Sequence, residues 1–75
     1  GFGMFPNPAK EVLNLKATNG IQSVHIFNIQ GQEVILNDTS TGVEQLDISD
    51  LKNGIYIVRI IDNNGKQASL KLLKN

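Results

Sequence analysis

The chain has 75 residues, no cysteine, and seven Lys/Arg balanced by seven Asp/Glu. A length of this order holds one domain at most, and a domain this small buries only about 60% of its unfolded surface. With no disulfide to close it, the fold must rest on an aliphatic core, in which Phe27 and Tyr56 are expected as the large anchors. The charge balance argues against a nucleic-acid binder, and no apolar run reaches the ~18 residues of a membrane-spanning helix.

Gly1-Phe2-Gly3-Met4 shows no patterning shared with the rest of the chain. It is expected to be a linker or remnant (residues 1–4) ahead of one domain (residues 5–75). The start lacks the basic segment and apolar stretch of a secretory leader, which fits a cytosolic chain or a piece of a longer exported one. Pro6 and Pro8 fix two φ angles and remove two backbone donors. Pro6-Asn7-Pro8 therefore reads as a stiff lead-in to the domain.

Strand periodicity begins at Val12–Lys16, where Leu13 and Leu15 share a face. Thr18-Asn19-Gly20 signals a turn. Ser23–Phe27 forms a second strand, with Val24 and Ile26 on one face and His25 and Phe27 on the other. A loop with Gly31 leads to a short strand over Glu33–Leu36, and a polar loop covers Asn37–Gly42. Glu44–Ile48 alternates again, with Leu46 and Ile48 inward. After the break at Asp50–Gly54 comes the strongest strand, Ile55–Ile61, in which six of seven residues are β-branched or aromatic. Asp62-Asn63-Asn64-Gly65 is the clearest hairpin turn, because Asn-Gly accepts positive φ. Gln67–Leu73 closes the pattern, with Leu70 and Leu72 on one face.

Six or seven short strands with turn signals are the pattern of a sandwich or barrel, and a small antiparallel β-sandwich of immunoglobulin-like type is expected. The expected core is Leu13, Leu15, Val24, Ile26, Leu46, Ile48, Leu51, Tyr56, Val58, Ile60, Leu70 and Leu72. Gly54-Ile55-Tyr56 resembles the tyrosine corner of such sandwiches, in which the ring packs inward and the hydroxyl bonds back to the chain. Gly31, Gly54 and Gly65 are expected to be structural. The strand Ile55–Ile61 is too apolar for a one-sided strand. Its second face, Ile55, Ile57 and Ile61, is expected to be covered by another element, by a second copy in a homodimer, or by a passenger domain.

No constellation for catalysis stands out. His25 is the sole histidine and has no partner set for metal or triad chemistry. Asp47, Asp50 and Asp62 read as turn residues, and the glycines lead into no helix that could cradle a phosphate. No cofactor is expected, and the chain is expected not to be an enzyme. One asymmetry does stand out: after Asp62 there is no acid, while Lys66, Lys71 and Lys74 follow. Lysines on a terminal strand commonly protect an edge from aggregation. They could also steer a partner, with the strand's unpaired backbone groups open to strand addition.

Several stretches, in order, resemble the type A C-terminal sorting domains of the type IX secretion system. Phe5-Pro6-Asn7-Pro8-Ala9 is similar to that family's opening element, and Val12-Leu13-Asn14-Leu15 to its next strand. The segment Val24–Val34 is similar to its Tyr-Asn-x-x-Gly-Gln-x-Val stretch, with Phe27 in place of Tyr and Gln30 where an aliphatic is usual. Leu46–Val58 is similar to its Leu-Ser-x-Gly-x-Tyr core. Lys71-Leu72-Leu73-Lys74 is similar to its closing Lys-hydrophobic-hydrophobic-Lys sequence, followed here by Asn75.

The resemblance implies a non-catalytic address label at the end of an N-terminal passenger. The passenger crosses the inner membrane of a Gram-negative cell, passes through the periplasm, and reaches the cell surface or the medium. The implied partners are the outer-membrane translocon and a sortase-like surface protease. Recognition is expected on the closing segment: Lys66, Lys71, Leu72, Leu73 and Lys74, with both Lys71 and Lys74 exposed. The alternative is an immunoglobulin-like accessory module for adhesion or polymer and carbohydrate binding, disfavoured for sugars by the lack of Trp and the expected burial of Tyr56.

Overall fold

A computed structural model describes residues 1–34 and 44–75. Seven strands are present among them: β1 (Phe2–Phe5), β2 (Val12–Ala17), β3 (Ile21–Asn28), β4 (Glu33–Val34), β5 (Gln45–Asp47), β6 (Gly54–Asp62) and β7 (Gln67–Lys74). Of the expected strand Glu33–Leu36, the last two residues lie outside the described residues, as does the expected loop Asn37–Gly42.

The strands form two antiparallel sheets, ordered β1-β2-β5 and β4-β3-β6-β7. Alternation sends one side of each strand into the space between them. Leu13, Leu15 and Leu46 come from the first sheet, and Ile26, Tyr56, Val58, Ile60 and Leu72 from the second. Ile48, Leu51 and Ala9 fill in from the connections. Burying an aliphatic side chain fully contributes about 1.5–3 kcal/mol, so this one layer is what stabilises a domain that has no cross-link. Two expected core residues, Val24 and Leu70, sit half-buried at its margin. Phe27 is no core anchor: it stands on the outer face of the second sheet, paired across from Ile57.

Tyr56 makes the expected corner. Its ring is buried and its hydroxyl donates to the Lys52 carbonyl at 2.7 Å. The bond ties the start of β6 to the crossover from β5. The crossover is further fixed by Asp47, whose carboxylate accepts from the Ser49 hydroxyl at 2.6 Å and the Ser49 N–H at 2.9 Å.

The four residues at the start behave differently from the expectation of a linker. Phe2–Phe5 runs antiparallel to β2, with Phe2 opposite Ala17 and Phe5 opposite Asn14. Phe2 and Met4 pack against the core. Periodicity could not show this, because Gly1 and Gly3 interrupt the apolar pattern and the pairing partner lies a full connection away.

Two turns meet at one end of the sandwich. Gly20, at φ 78°, closes the β2–β3 turn by donating to the Ala17 carbonyl. Asn63 of the β6–β7 hairpin lies against it, its side chain donating to the Asn19 carbonyl at 3.0 Å. A side chain at position 20 would start 2.5 Å from the Asn63 amide nitrogen, so it would displace that amide besides straining a left-handed φ.

Candidate functional site

The site is the closing strand, its edge, and the sheet face it belongs to. Its position is set by the Asp62–Lys66 turn. Asp62 N–H donates to the Lys66 carbonyl, and Gly65 N–H to the Asp62 carbonyl. The Asp62 carboxylate, itself buried, accepts from the N–H groups of Asn64 at 2.9 Å and Lys66 at 2.8 Å. Burial alone would raise the Asp62 carboxyl. The Lys66 and Asn64 N–H donors, the Asn19 amide and the Lys66 charge outweigh burial and hold it below the ordinary carboxylate range. Gly65 has φ 82°, as the Asn-Gly signal requires.

From this turn β7 runs along β6 in continuous register, Ile61 opposite Gln67 through Gly54 opposite Lys74. Alternation divides the five expected recognition residues between two faces. Lys66 in the turn is exposed, and Lys71 and Leu73 are exposed on the outer face. Leu72 is completely buried in the core. Lys74 is buried as well, at 6% exposure, against the expectation of an exposed charge. It shares the inward parity of Leu70 and Leu72, and its Nζ donates to the Asn75 carbonyl at 3.1 Å. Reversing its charge would therefore disturb the fold rather than only the surface.

The free edge of β7 is also not as expected. A terminal strand would offer a row of unpaired backbone groups, but here the lead-in segment covers the last part of the row. Asn7, held between Pro6 and Pro8, uses its side-chain amide as a strand would use its backbone. Nδ2 donates to the Lys71 carbonyl at 2.8 Å, and Oδ1 accepts from the Leu73 N–H at 2.9 Å. Ala9 continues the cap: its N–H donates to the Leu73 carbonyl and its carbonyl accepts from the Asn75 N–H, both at 2.9 Å. Ala9 and Lys74 form a parallel bridge. The two ends of the domain, far apart in sequence, are one unit in space. The complete burial of Ala9 went unrecognised in the sequence, where the signal available was a small residue directly after Pro6-Asn7-Pro8.

Beside β7, the outer face carries Ile55, Ile57, Arg59 and Ile61 from β6, and Phe27, His25 and Ser23 opposite the last three on β3. Ile55 stands across from Leu73 and Ile57 across from Lys71. These three aliphatic side chains are each about two-fifths exposed, at 41%, 37% and 40% for Ile55, Ile57 and Leu73. The Arg59 guanidinium lies 5.0 Å from the Phe27 ring centroid. It lies over that ring, as Lys16 lies over the more exposed Phe5 ring on the other sheet. His25 pairs with Glu33 at 3.1 Å. Among the described residues, no three His, Cys, Asp or Glu side chains converge as a metal site would need. Gly31 and Gly54 have φ of 84° and 153°, in turn and strand-start positions.

Comparison with known proteins gives the same outline. The family model described as "secretion system C-terminal sorting domain" matches residues 3–75. Among curated proteins, the chain is 29% identical over 70 residues to Beta-agarase D of Zobellia galactanivorans. That alignment takes in 93% of this chain and 14% of the agarase, so the chain spans about one-seventh of the relative's length.

Proposed function

The chain belongs to the family of C-terminal sorting domains of the type IX secretion system, and from that premise we propose that it works as a non-catalytic label read through the outer row of β7. The sorting domain directs an N-terminal passenger to the type IX machinery, and the destination is the cell surface or the medium. In the finer reading, the outer-membrane translocon binds the folded label and a sortase-like surface protease later removes it. Lys66, Lys71 and Leu73 are the residues available to such a reader. Leu72 and Lys74 act from inside, by holding the strand in register.

The observation that carries this reading is the position of the family's closing sequence. Lys71–Lys74 is locked to Pro6-Asn7-Pro8-Ala9 by side-chain and backbone bonds, so its outward residues are displayed on a fixed strand and not on a frayed tail. A fixed display lowers the ordering cost of being recognised.

The test is a fusion of the chain to a neutral reporter in a type IX-competent cell, scored for surface arrival. The fusion should arrive and the bare reporter should not. Lys66→Glu with Lys71→Glu should lower arrival; because the Lys66 charge sits beside the buried Asp62 carboxylate, a thermal melt checks that the pair folds, and Lys71→Glu alone serves where it does not. Lys74→Glu belongs outside this comparison, because it buries a carboxylate. Full export of the double variant would place recognition away from the lysines.

A further inference from the structure

We infer that the outer face of the four-stranded sheet, centred on Ile57, docks a protein partner whose surface is apolar with carboxylates at its margin; this rests on the sorting reading above. Of the exposed large aliphatics of the described chain, Ile55 and Leu73 are a cross-strand pair on this face, and Ile57 stands two residues along β6 from Ile55. Phe27, across from Ile57 on β3, lies half-buried under Arg59 at the margin of the patch. Adjoining exposed aliphatics on an open sheet face are the kind of surface that interaction sites use.

The charges choose among occupants. Lys71 stands directly across from Ile57, and Arg59 lies two residues on from it. The acid on this face, Glu33, is engaged by His25. The patch is therefore bordered by cations with no free carboxylate beside them among the described residues. A second copy of the chain would bring Lys71 and Arg59 toward their own counterparts, and like-charge juxtaposition works against that pairing. An anionic membrane is disfavoured by number, since lipid-surface recognition takes clusters of about 4–8 Lys/Arg. A passenger preceding this stretch would enter through β1 in the three-stranded sheet, the layer opposite to this face. The remaining occupant is a separate protein with apolar contacts for Ile55, Ile57 and Leu73, and carboxylates for Lys71 and Arg59.

The experiment uses the reporter fusion with two variants on β6, outside the closing strand: Ile57→Asp and Arg59→Glu. The control is Lys16→Glu, an exposed reversal on the opposite sheet. Thermal unfolding of the 75-residue chain checks that each variant folds. The inference expects Ile57→Asp to cut surface arrival by about tenfold or more, as loss of a central interface side chain does. Arg59→Glu should act in the same direction, and Lys16→Glu should match the parent.

Folded Ile57→Asp exported as well as the parent overturns the inference, and leaves the sorting reading intact if Lys66→Glu with Lys71→Glu still fails. A parent fusion that never reaches the surface overturns both. Light scattering and vesicles of phosphatidylglycerol address the other occupants. A parent dimer that Ile57→Asp splits, or vesicle binding that Ile57→Asp abolishes, would assign the face to a second copy or to lipid and overturn the protein-partner inference.

Discussion

Replacing Asn7 by Ala should destabilise the domain out of proportion to the exposed position of that side chain. The substitution removes two hydrogen bonds at once, to the Lys71 carbonyl and from the Leu73 N–H. Both backbone groups lie on the rim, so water reaches them when the amide is gone. The loss is then the net value of each bond, about 0.5–1.5 kcal/mol, and not the larger penalty of a buried orphan. Two such bonds give roughly 1–3 kcal/mol. For a domain of this length each kcal/mol moves the melting temperature by about 4–8 °C, so a drop near 10 °C is expected.

Circular dichroism melts give the size of the effect, and amide exchange gives its place. Protection at the Leu73 N–H should fall first, because local opening of the capped edge no longer breaks a bond. Protection at Val58 and Ile60, in the middle of β6, should fall only by the global loss. A shift under about 2 °C, inside the range of a neutral surface change, with unaltered protection at Leu73 would refute the cap. Asn7 would then be only a spacer between two prolines.

Tyr56→Phe should cost about 1 kcal/mol by urea denaturation through loss of the bond to the Lys52 carbonyl, while Tyr56→Ala should cost about 3–5 kcal/mol through loss of the packed ring; equal costs would mean that the hydroxyl holds the whole corner. Gly20→Ala should be worse than Gly65→Ala, because both glycines have positive φ but only position 20 faces a close contact, with Asn63. The reverse order in chemical melts would remove the turn-to-turn contact from the account. Asp62 and Asp47 both have carboxyls held below the ordinary range, Asp47 by the Ser49 hydroxyl and then the Ser49 N–H. A depressed folded value adds stability above the unfolded carboxyl value of about 4, and that stability is lost as pH falls through the folded value. Melting temperature should therefore fall steeply below about pH 4 and less steeply in Asp62→Asn; a profile flat down to about pH 2 would contradict this.

Much of the sandwich was legible because its strands alternate cleanly. The inward sets at Leu13/Leu15, Leu46/Ile48 and Tyr56/Val58/Ile60 follow from period two alone, and the observed core contains all of them. Lys74 was legible by the same rule, since it falls on the parity of Leu70 and Leu72. Its charge suggested exposure, but register decided: the strand continues straight to its last residue and carries the lysine inward with it. Phe27 misled in the opposite way, as a large aromatic that register places outside, under Arg59. The cap on β7 was out of reach of any local rule. Asn7 and its partners lie 64 and 66 residues apart, and a side chain standing in for a strand leaves no periodic trace.

The meeting of residues 7–9 with residues 71–75 has a consequence for timing. A chain that appears from its N-terminus displays Asn7 and Ala9 early, but the groups they grip come last. Contacts of such long sequence separation close late in folding. The label therefore completes itself only after the final residues of this stretch have been made and freed. A product cut short by a few residues loses Leu72 from the core as well as the partners that fix its opening segment. Closure of the label thus depends on segments from both ends of this stretch at once.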